Sequence, residues 1–551
     1  MSLSLISGVL TTAPSRLRAA AICLAVGAAI VANPLGLPAR ADTAPPAGTP
    51  PTVSADGLPT WQINGVVWSQ VTVGDTVYAT GKFTRARPPG SPAGSNEVVR
   101  DNLLAYSLST GNLVTSFSHS LNAQGLVAAR SPDGTRVYIG GDFTTVDGVT
   151  RNRIAAFDTA TGALVSTFAP RVAYQVRGIA ATNSTVYFGG NFTSVNGIGR
   201  TRLGAVNASN GALTSWAPTA DNIVRTMVLS PDGSRVIVGG HFRALNGVTA
   251  YGMGSVSTTN GATLRWDANN TIKDSGSDGA ITSLRTDGSQ IYGSGYAFGS
   301  GSQFEGTFAA DPTTGAIAWL NDCHGDTYDV YPIGQVLYHV GHAHDCSAIG
   351  DFPETNPRTW RHALADTTYP TGTNKGPDSY GWNYNGWPAA RILTWHPSLG
   401  IGSFTGQSQA AWSVTGDSNY VALGGEFPTV NGVAQQGLVR FAVRALAPNR
   451  RGPQSSSALT PTVSSPTTGK VSVTWRATWD QDNTALTYQL LRDGGSTPIY
   501  TTTVNSRFWI LPSMNVTDSA PSGTSHTYRV RVTDPLGNTI AGGTSAAVTV
   551  R

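Results

Sequence analysis

The sequence predicts an all-β chain, and three observations carry that prediction. A short glycine-paired motif recurs with a period of about fifty residues. Most copies lead into a two-residue hairpin turn, and no helical periodicity interrupts the repeating span. The clearest copies are Val137–Phe143 (VYIGGDF), Val186–Phe192 (VYFGGNF), Val236–Phe242 (VIVGGHF) and Tyr420–Phe427 (YVALGGEF). Val77–Phe83 (VYATGKF) opens the series, and Ile291–Gly295 and Leu337–Gly341 are weaker copies, giving seven units in all.

Each unit supplies its own turns. Asp147-Gly148, Asn196-Gly197, Asn246-Gly247 and Asn431-Gly432 follow the motif, and these pairs tolerate the positive φ of a type I′ turn. A second strand follows, as in Arg153–Phe157 and Arg202–Val206. Thr161-Gly162, Asn210-Gly211, Asn260-Gly261 and Thr314-Gly315 then turn the chain into a strand ending on Phe168, Trp216, Trp266 or Trp319. One more strand precedes each motif. Four short strands per period fit a blade, so residues 61–446 are expected to form a seven-bladed β-propeller. The paired glycines let strands crowd where a Cβ would collide, and the aromatics fill the space between blades. Residues near Trp61–Trp68 are expected to complete the last blade and remove the free sheet edges. An open β-solenoid of the same period is the competing architecture.

The Gly-Gly-x-Phe-Thr-x-Val-Asn-Gly pattern, followed by Arg-x-Arg-Leu/Ile-Ala, resembles the delta-60-type β-propeller repeats of secreted bacterial proteins. That resemblance spans roughly Trp61 to Leu446 and implies fold and location more than activity.

After a polar, proline-containing linker at 447–460, the strands Val471–Trp475, Leu486–Leu491 and Thr527–Val532 alternate as in a sandwich. With Trp475, Tyr488 and Tyr528 as core landmarks, residues 461–551 resemble a fibronectin type III domain whose last strand lies near Ser545–Val550. Such modules imply a spacer or surface-binding role and accompany many polysaccharide-degrading enzymes. Asp480 and Asp482 are read as turn residues, not as a calcium site.

The N-terminus reads as an export signal over residues 1–41. Arg16 and Arg18 precede an apolar run, Ala19–Ala32, that is too short to span a bilayer comfortably, and Ala39-Arg40-Ala41 offers a cleavage site. Residues 42–60 then read as a Pro/Thr-rich linker. The mature chain is expected outside the cytoplasm, secreted or associated with the envelope, with no transmembrane anchor. The formal charge of +4 includes Arg16, Arg18 and Arg40, and no acid precedes residue 42, so the mature charge is +1. A near-neutral surface argues against nucleic acid as a partner. The two mature cysteines, Cys323 and Cys346, are expected to form a disulfide, a local staple of roughly 3 kcal/mol by loop entropy.

Chemistry is expected where the repeat is least regular. Cys323-His-Gly-Asp326 and Leu337–Cys346 gather four of the nine histidines around the disulfide. His324, His342 and His344, with Asp326 or Asp345, could hold a divalent metal or do acid–base work, since imidazole and carboxylate suit zinc and similar ions; a hydrogen-bonded polar rim is the alternative. Asp326, Asp345, Glu354, His342 and His344 are the catalytic candidates. Glutamate is scarce, at 97, 305, 354 and 426, and glycoside hydrolysis needs a carboxyl pair that sequence alone does not select. An aromatic-rich insert near 347–410 carries Trp382, Tyr384, Trp387 and Trp395 as sugar-stacking candidates, with a small satellite core as the other reading. The expected function is a propeller binding protein for an extracellular glycan or surface protein. A polysaccharide-degrading hydrolase or lyase and a structural envelope component are the alternatives. No nucleophile elbow, phosphate loop or cofactor fingerprint appears.

Overall fold

The computed structural model describes residues 48–299 and 301–551, so the export segment expected at 1–41 lies outside the described residues. The chain is all-β. Seven antiparallel sheets form from consecutive stretches, and their innermost strands are Val66–Val73, Gly125–Arg130, Val176–Ala181, Val224–Leu229, Gly279–Thr286, Thr327–Ile333 and Ala411–Gly416. Each innermost strand lies beside the next, and the seventh lies beside the first. The Gln70 amide donates to the Ser413 hydroxyl at 3.2 Å across that last junction, and the Ala128 amide donates to Ser69 at 3.1 Å across the first. The ring is a closed seven-bladed β-propeller.

Sequence chemistry explains the blade. Asp147-Gly148, Asn196-Gly197, Asn246-Gly247 and Asn431-Gly432 all have positive φ, as type I′ turns require. A Cβ on Gly189 would stand 2.5 Å from Val224 Cγ1 of the next blade, and one on Gly190 would stand 2.0 Å from the Gln175 carbonyl. The first glycine of the pair thus admits the neighbouring blade, and the second admits its own inner strand. Phe168, Trp216, Trp266 and Trp319 are buried, and Trp216 reaches across to the following blade, donating its indole N–H to the Ser257 carbonyl at 2.8 Å.

Ring closure differs from the sequence expectation. The segment that completes the seventh blade is Ser54–Leu58, where the Ser54 and Leu58 amides each donate at 2.8 Å, to the Ala442 and Arg440 carbonyls. Trp61–Trp68 is already committed elsewhere. Gln62–Ile63 pairs with Arg85–Arg87, and Val66–Val73 is the innermost strand of the first blade. The stretch read as a linker therefore contains structural backbone, with Val53 and Ala55 buried in the core of the sixth and seventh blades.

Residues after 460 form a two-sheet β-sandwich. Thr462–Ser464, Lys470–Arg476 and Ser513–Ser519 make one sheet; Tyr500–Asn505, Ala485–Arg492, Tyr528–Thr533 and Thr539–Ala541 make the other. Trp475, Tyr488 and Tyr528 are buried between them. The last strand of the larger sheet is Thr539–Ala541, while Val548–Thr549 pairs separately with Ser525–His526.

The sandwich is docked, not tethered. The Phe508 ring lies 3.8 Å under the Arg361 guanidinium and 5.1 Å from His396 of the propeller. Asp480 and Asp482 are buried in a second contacting loop, where the Asp480 carboxyl accepts the Asp482 amide at 3.0 Å as a turn residue does. Asp482 accepts from the Ser54 hydroxyl at 2.9 Å and from the Ala55 amide at 2.6 Å. Among the described residues no helix is long and apolar enough to cross a membrane.

Candidate functional site

Every innermost strand carries a β-bulge near its start, opposite the paired-glycine end of the second strand. The skipped residues are Trp68, Arg177, Arg225, Thr282, Tyr328 and Trp412, with Leu126 in the second blade. A bulge re-aims one side chain, and all of these line a central cavity of about 540 Å³. Beside each bulge stands the variable residue that follows the second glycine. Arg225 Nη1 lies 3.4 Å from His241 Nε2, the Tyr328 hydroxyl lies 3.2 Å from His342 Nδ1, and Trp412 Nε1 donates to Glu426 at 3.1 Å. One end of the ring therefore brings bulge side chains against residues that follow the second glycine. Burial, reinforced by Arg225, pushes the Arg177 guanidinium down to about 10.

The fifth and sixth blades open this end into a cleft of about 670 Å³, bordered by Phe298, Glu305, Asp326, His342, Tyr380 and Trp382, with His344 and Arg358 at its edge. Glu305 precedes the strand Gly306–Ala310 and is buried; its Oε2 accepts the Gly325 amide at 2.8 Å. Gly325 has φ +111°, and a Cβ there would stand 2.3 Å from the His342 carbonyl, so the chain passes this point only as glycine. Burial, with Asp326 beside it, pushes the Glu305 carboxyl up to about 8. Asp326 is raised by burial against the opposing pull of His342, and it accepts the Tyr328 hydroxyl at 3.1 Å. The Asp326 amide donates to His342 Nε2 at 3.3 Å, which leaves the proton on Nδ1, 3.0 Å from Gln409 Oε1. Burial lowers His342, so its imidazole is neutral near pH 7. The cleft thus pairs a protonated carboxyl with a second carboxyl, a neutral imidazole and a phenol.

Behind the cleft wall the disulfide Cys323–Cys346 sets a second cluster, with Cα atoms 4.3 Å apart. The His324 amide donates to the Asp345 carbonyl, and the His344 amide to the His324 carbonyl, both at 2.8 Å. His324 Nε2 lies 2.6 Å from Asp378 Oδ2 and its ring stacks on Tyr380 at 3.8 Å. Asp322, at the end of Ile317–Asp322, joins His324 and Asp378 so that one ligand atom from each lies within 4.8 Å of the others. Burial, then the facing Asp378, pushes the Asp322 carboxyl up to about 9.

Of the catalytic candidates, Asp326 and His342 meet in the cleft. His344 reaches its edge, 3.7 Å from Glu354, which itself bonds Arg358 outside the carboxyl pair. Asp345 is buried 3.9 Å from His324. Among the metal candidates, His342 and His344 do not join His324 in a convergent set; the partners are Asp322 and Asp378. The aromatic insert divides. Trp382 borders the cleft while packing, like Trp387, against the core of the fourth and fifth blades. Tyr384 is buried with its hydroxyl donating to the Gln303 carbonyl at 2.7 Å. Trp395 is 0 % exposed and donates to the Ser54 carbonyl, so these last two serve packing rather than ligand stacking. Glu305 and the bulge residues Arg177, Arg225 and Tyr328 were not singled out. A rare glutamate at the start of a strand in the least regular blade was the available signal for the first, and the change of residue type at one repeat position for the others.

No protein-family model matches the chain, and no curated protein matches it. Among solved structures it is similar to a chain from the crystal structure of a mitotic checkpoint complex, at 8 % identity and a TM-score of 0.40, covering 72 % of this chain and 98 % of that one. A likeness that distant carries no argument about function.

Proposed function

We propose that this is an exported propeller protein that binds an extracellular glycan in the cleft of its fifth and sixth blades. One observation carries the reading. The exposed rings of Phe298 and Tyr380, 61 % and 45 % accessible, flank a cavity whose floor holds Glu305, Asp326 and His342. Flat apolar faces beside convergent donors and acceptors suit a sugar ring, which is apolar above and below and hydroxylated at its edge. The export segment supports placement outside the cytoplasm. The repeat pattern supports kinship with delta-60-type propellers, and the seven-stranded sandwich with buried Trp475, Tyr488 and Tyr528 supports kinship with fibronectin type III modules. Docked as it is, the sandwich acts as part of one body with the sixth and seventh blades.

A second reading is favoured by the carboxyl pair. A Glu305 carboxyl protonated up to about pH 8 has the state a hydrolase's general acid needs to protonate a glycosidic oxygen, with Asp326 as the neighbour that helps keep it protonated. A glycan array and a reducing-end assay on the mature protein separate the two. Retention without cleavage supports binding, and new reducing ends abolished in Glu305→Gln support hydrolysis. Neither outcome on a broad polysaccharide panel rejects both.

A further inference from the structure

We infer that Asp322, His324 and Asp378 form a binding site for one divalent transition-metal ion. It lies behind one wall of the proposed glycan cleft and does not depend on what that cleft holds. Three donors of the right kind converge, with one ligand atom from each within 4.8 Å of the others. They come from three separate stretches: the end of a blade strand, the disulfide-tied turn, and the aromatic insert. Their side chains are almost wholly enclosed, His324 and Asp378 at 2 % and 3 % accessibility and Asp322 at 2 %.

A hydrogen-bond network alone does not satisfy this cluster. Asp322 Oδ1 is buried without a partner, an arrangement that costs folding free energy unless something positive faces it.

The surrounding contacts orient the donors as metal ligands are oriented. His324 turns Nε2 towards Asp378 at 2.6 Å, while its Nδ1 lies 3.3 Å from the Ser379 hydroxyl, so Nε2 is the ring nitrogen that faces the carboxyl groups. Asp378 Oδ1 accepts the Tyr380 and Trp382 amides at 2.9 and 2.8 Å, so Oδ2 is the oxygen left for coordination. One imidazole and two carboxylates suit Zn²⁺ or Mn²⁺ better than the all-oxygen shells of Ca²⁺ and Mg²⁺. The ion would tie the insert that carries Tyr380 and Trp382 to the fifth blade, and so stiffen one wall of the cleft.

The test is calorimetric titration of the chelator-treated full chain with Zn²⁺ alone and with Mn²⁺ alone, alongside its melting temperature. The expected result is one ion per chain with a raised melting temperature. Asp378→Asn and, on the opposite element, Asp322→Asn should each weaken binding at least about tenfold. Each amide keeps the volume of the carboxyl it replaces, so both variants should melt in chelator close to the parent. Absence of stoichiometric uptake of either ion, or uptake that both variants retain unchanged, overturns the site. Using two variants keeps the result readable if one fails to fold.

Discussion

Tyr380 covers one face of the His324 imidazole, ring on ring at 3.8 Å with 1° between the planes, and leaves its other face to solvent. Across the same cleft Phe298 stacks on Tyr296 at 5.9 Å and is more open still. Neither ring holds up a core. The double substitution Phe298→Ala and Tyr380→Ala should therefore lower glycan retention at least about tenfold, the equivalent of about 1.4 kcal/mol, while the melting temperature stays nearly unchanged. Affinity electrophoresis and calorimetry report the two quantities separately.

Trp395 is the opposite case. Its ring lies 5.1 Å from Tyr338 and 5.3 Å from Phe441 in the core of the sixth and seventh blades. Trp395→Ala should cost about 3–5 kcal/mol of stability by opening a cavity, and the surviving folded protein should bind as the parent does. Denaturant midpoints compared with retention on the same column decide the matter.

Legibility followed periodicity. The blades could be read because glycine pairs, Asn-Gly turns and edge aromatics are local requirements of backbone geometry, and each repeats. The closing strand could not be read, because Ser54–Leu58 belongs to the ring only through a partner at Arg440, far along the chain. The cleft was half legible. Asp326 and His342 stood out by interrupting the repeat beside the cysteines, whereas Glu305 became chemically distinct only once folding buried it next to Asp326. The tryptophans of the insert misled for a related reason: composition shows that aromatic rings are present, but only packing decides which of their faces meet water.

Glu305 should leave a signature in the pH dependence of stability. Its carboxyl is buried, and its folded-state value, raised to about 8, exceeds that of an unfolded glutamate. Its contribution is therefore complete at low pH and is lost as the pH climbs from about 4.5 to 8, at up to about 1.4 kcal/mol per pH unit. Glu305→Gln should flatten that decline. Thermal melts of both proteins from pH 5 to pH 8.5 test it, and parallel curves would reject the buried-acid assignment.

Arg440 is 2 % exposed in the seventh blade and donates to the Leu108, Ser109 and Pro59 carbonyls at 2.6, 2.8 and 2.7 Å. It pins the closing segment and the first blade to the last. Arg440→Met keeps much of the volume but strands three carbonyls, so it should cost about 3 kcal/mol or more. Hydrogen exchange should rise first at residues 54–58. Protection unchanged there would show that closure does not depend on this guanidinium.

The bond between Ser54 and Asp482 joins positions 428 residues apart in the chain. A ribosome delivers the first of these long before the second, so the earliest strand must wait, unpaired, for nearly the whole polypeptide to follow it. Truncation anywhere after the propeller would consequently weaken its first strand as well as its last domain, and a tag or protease acting just ahead of residue 54 would reach the latch of the entire ring.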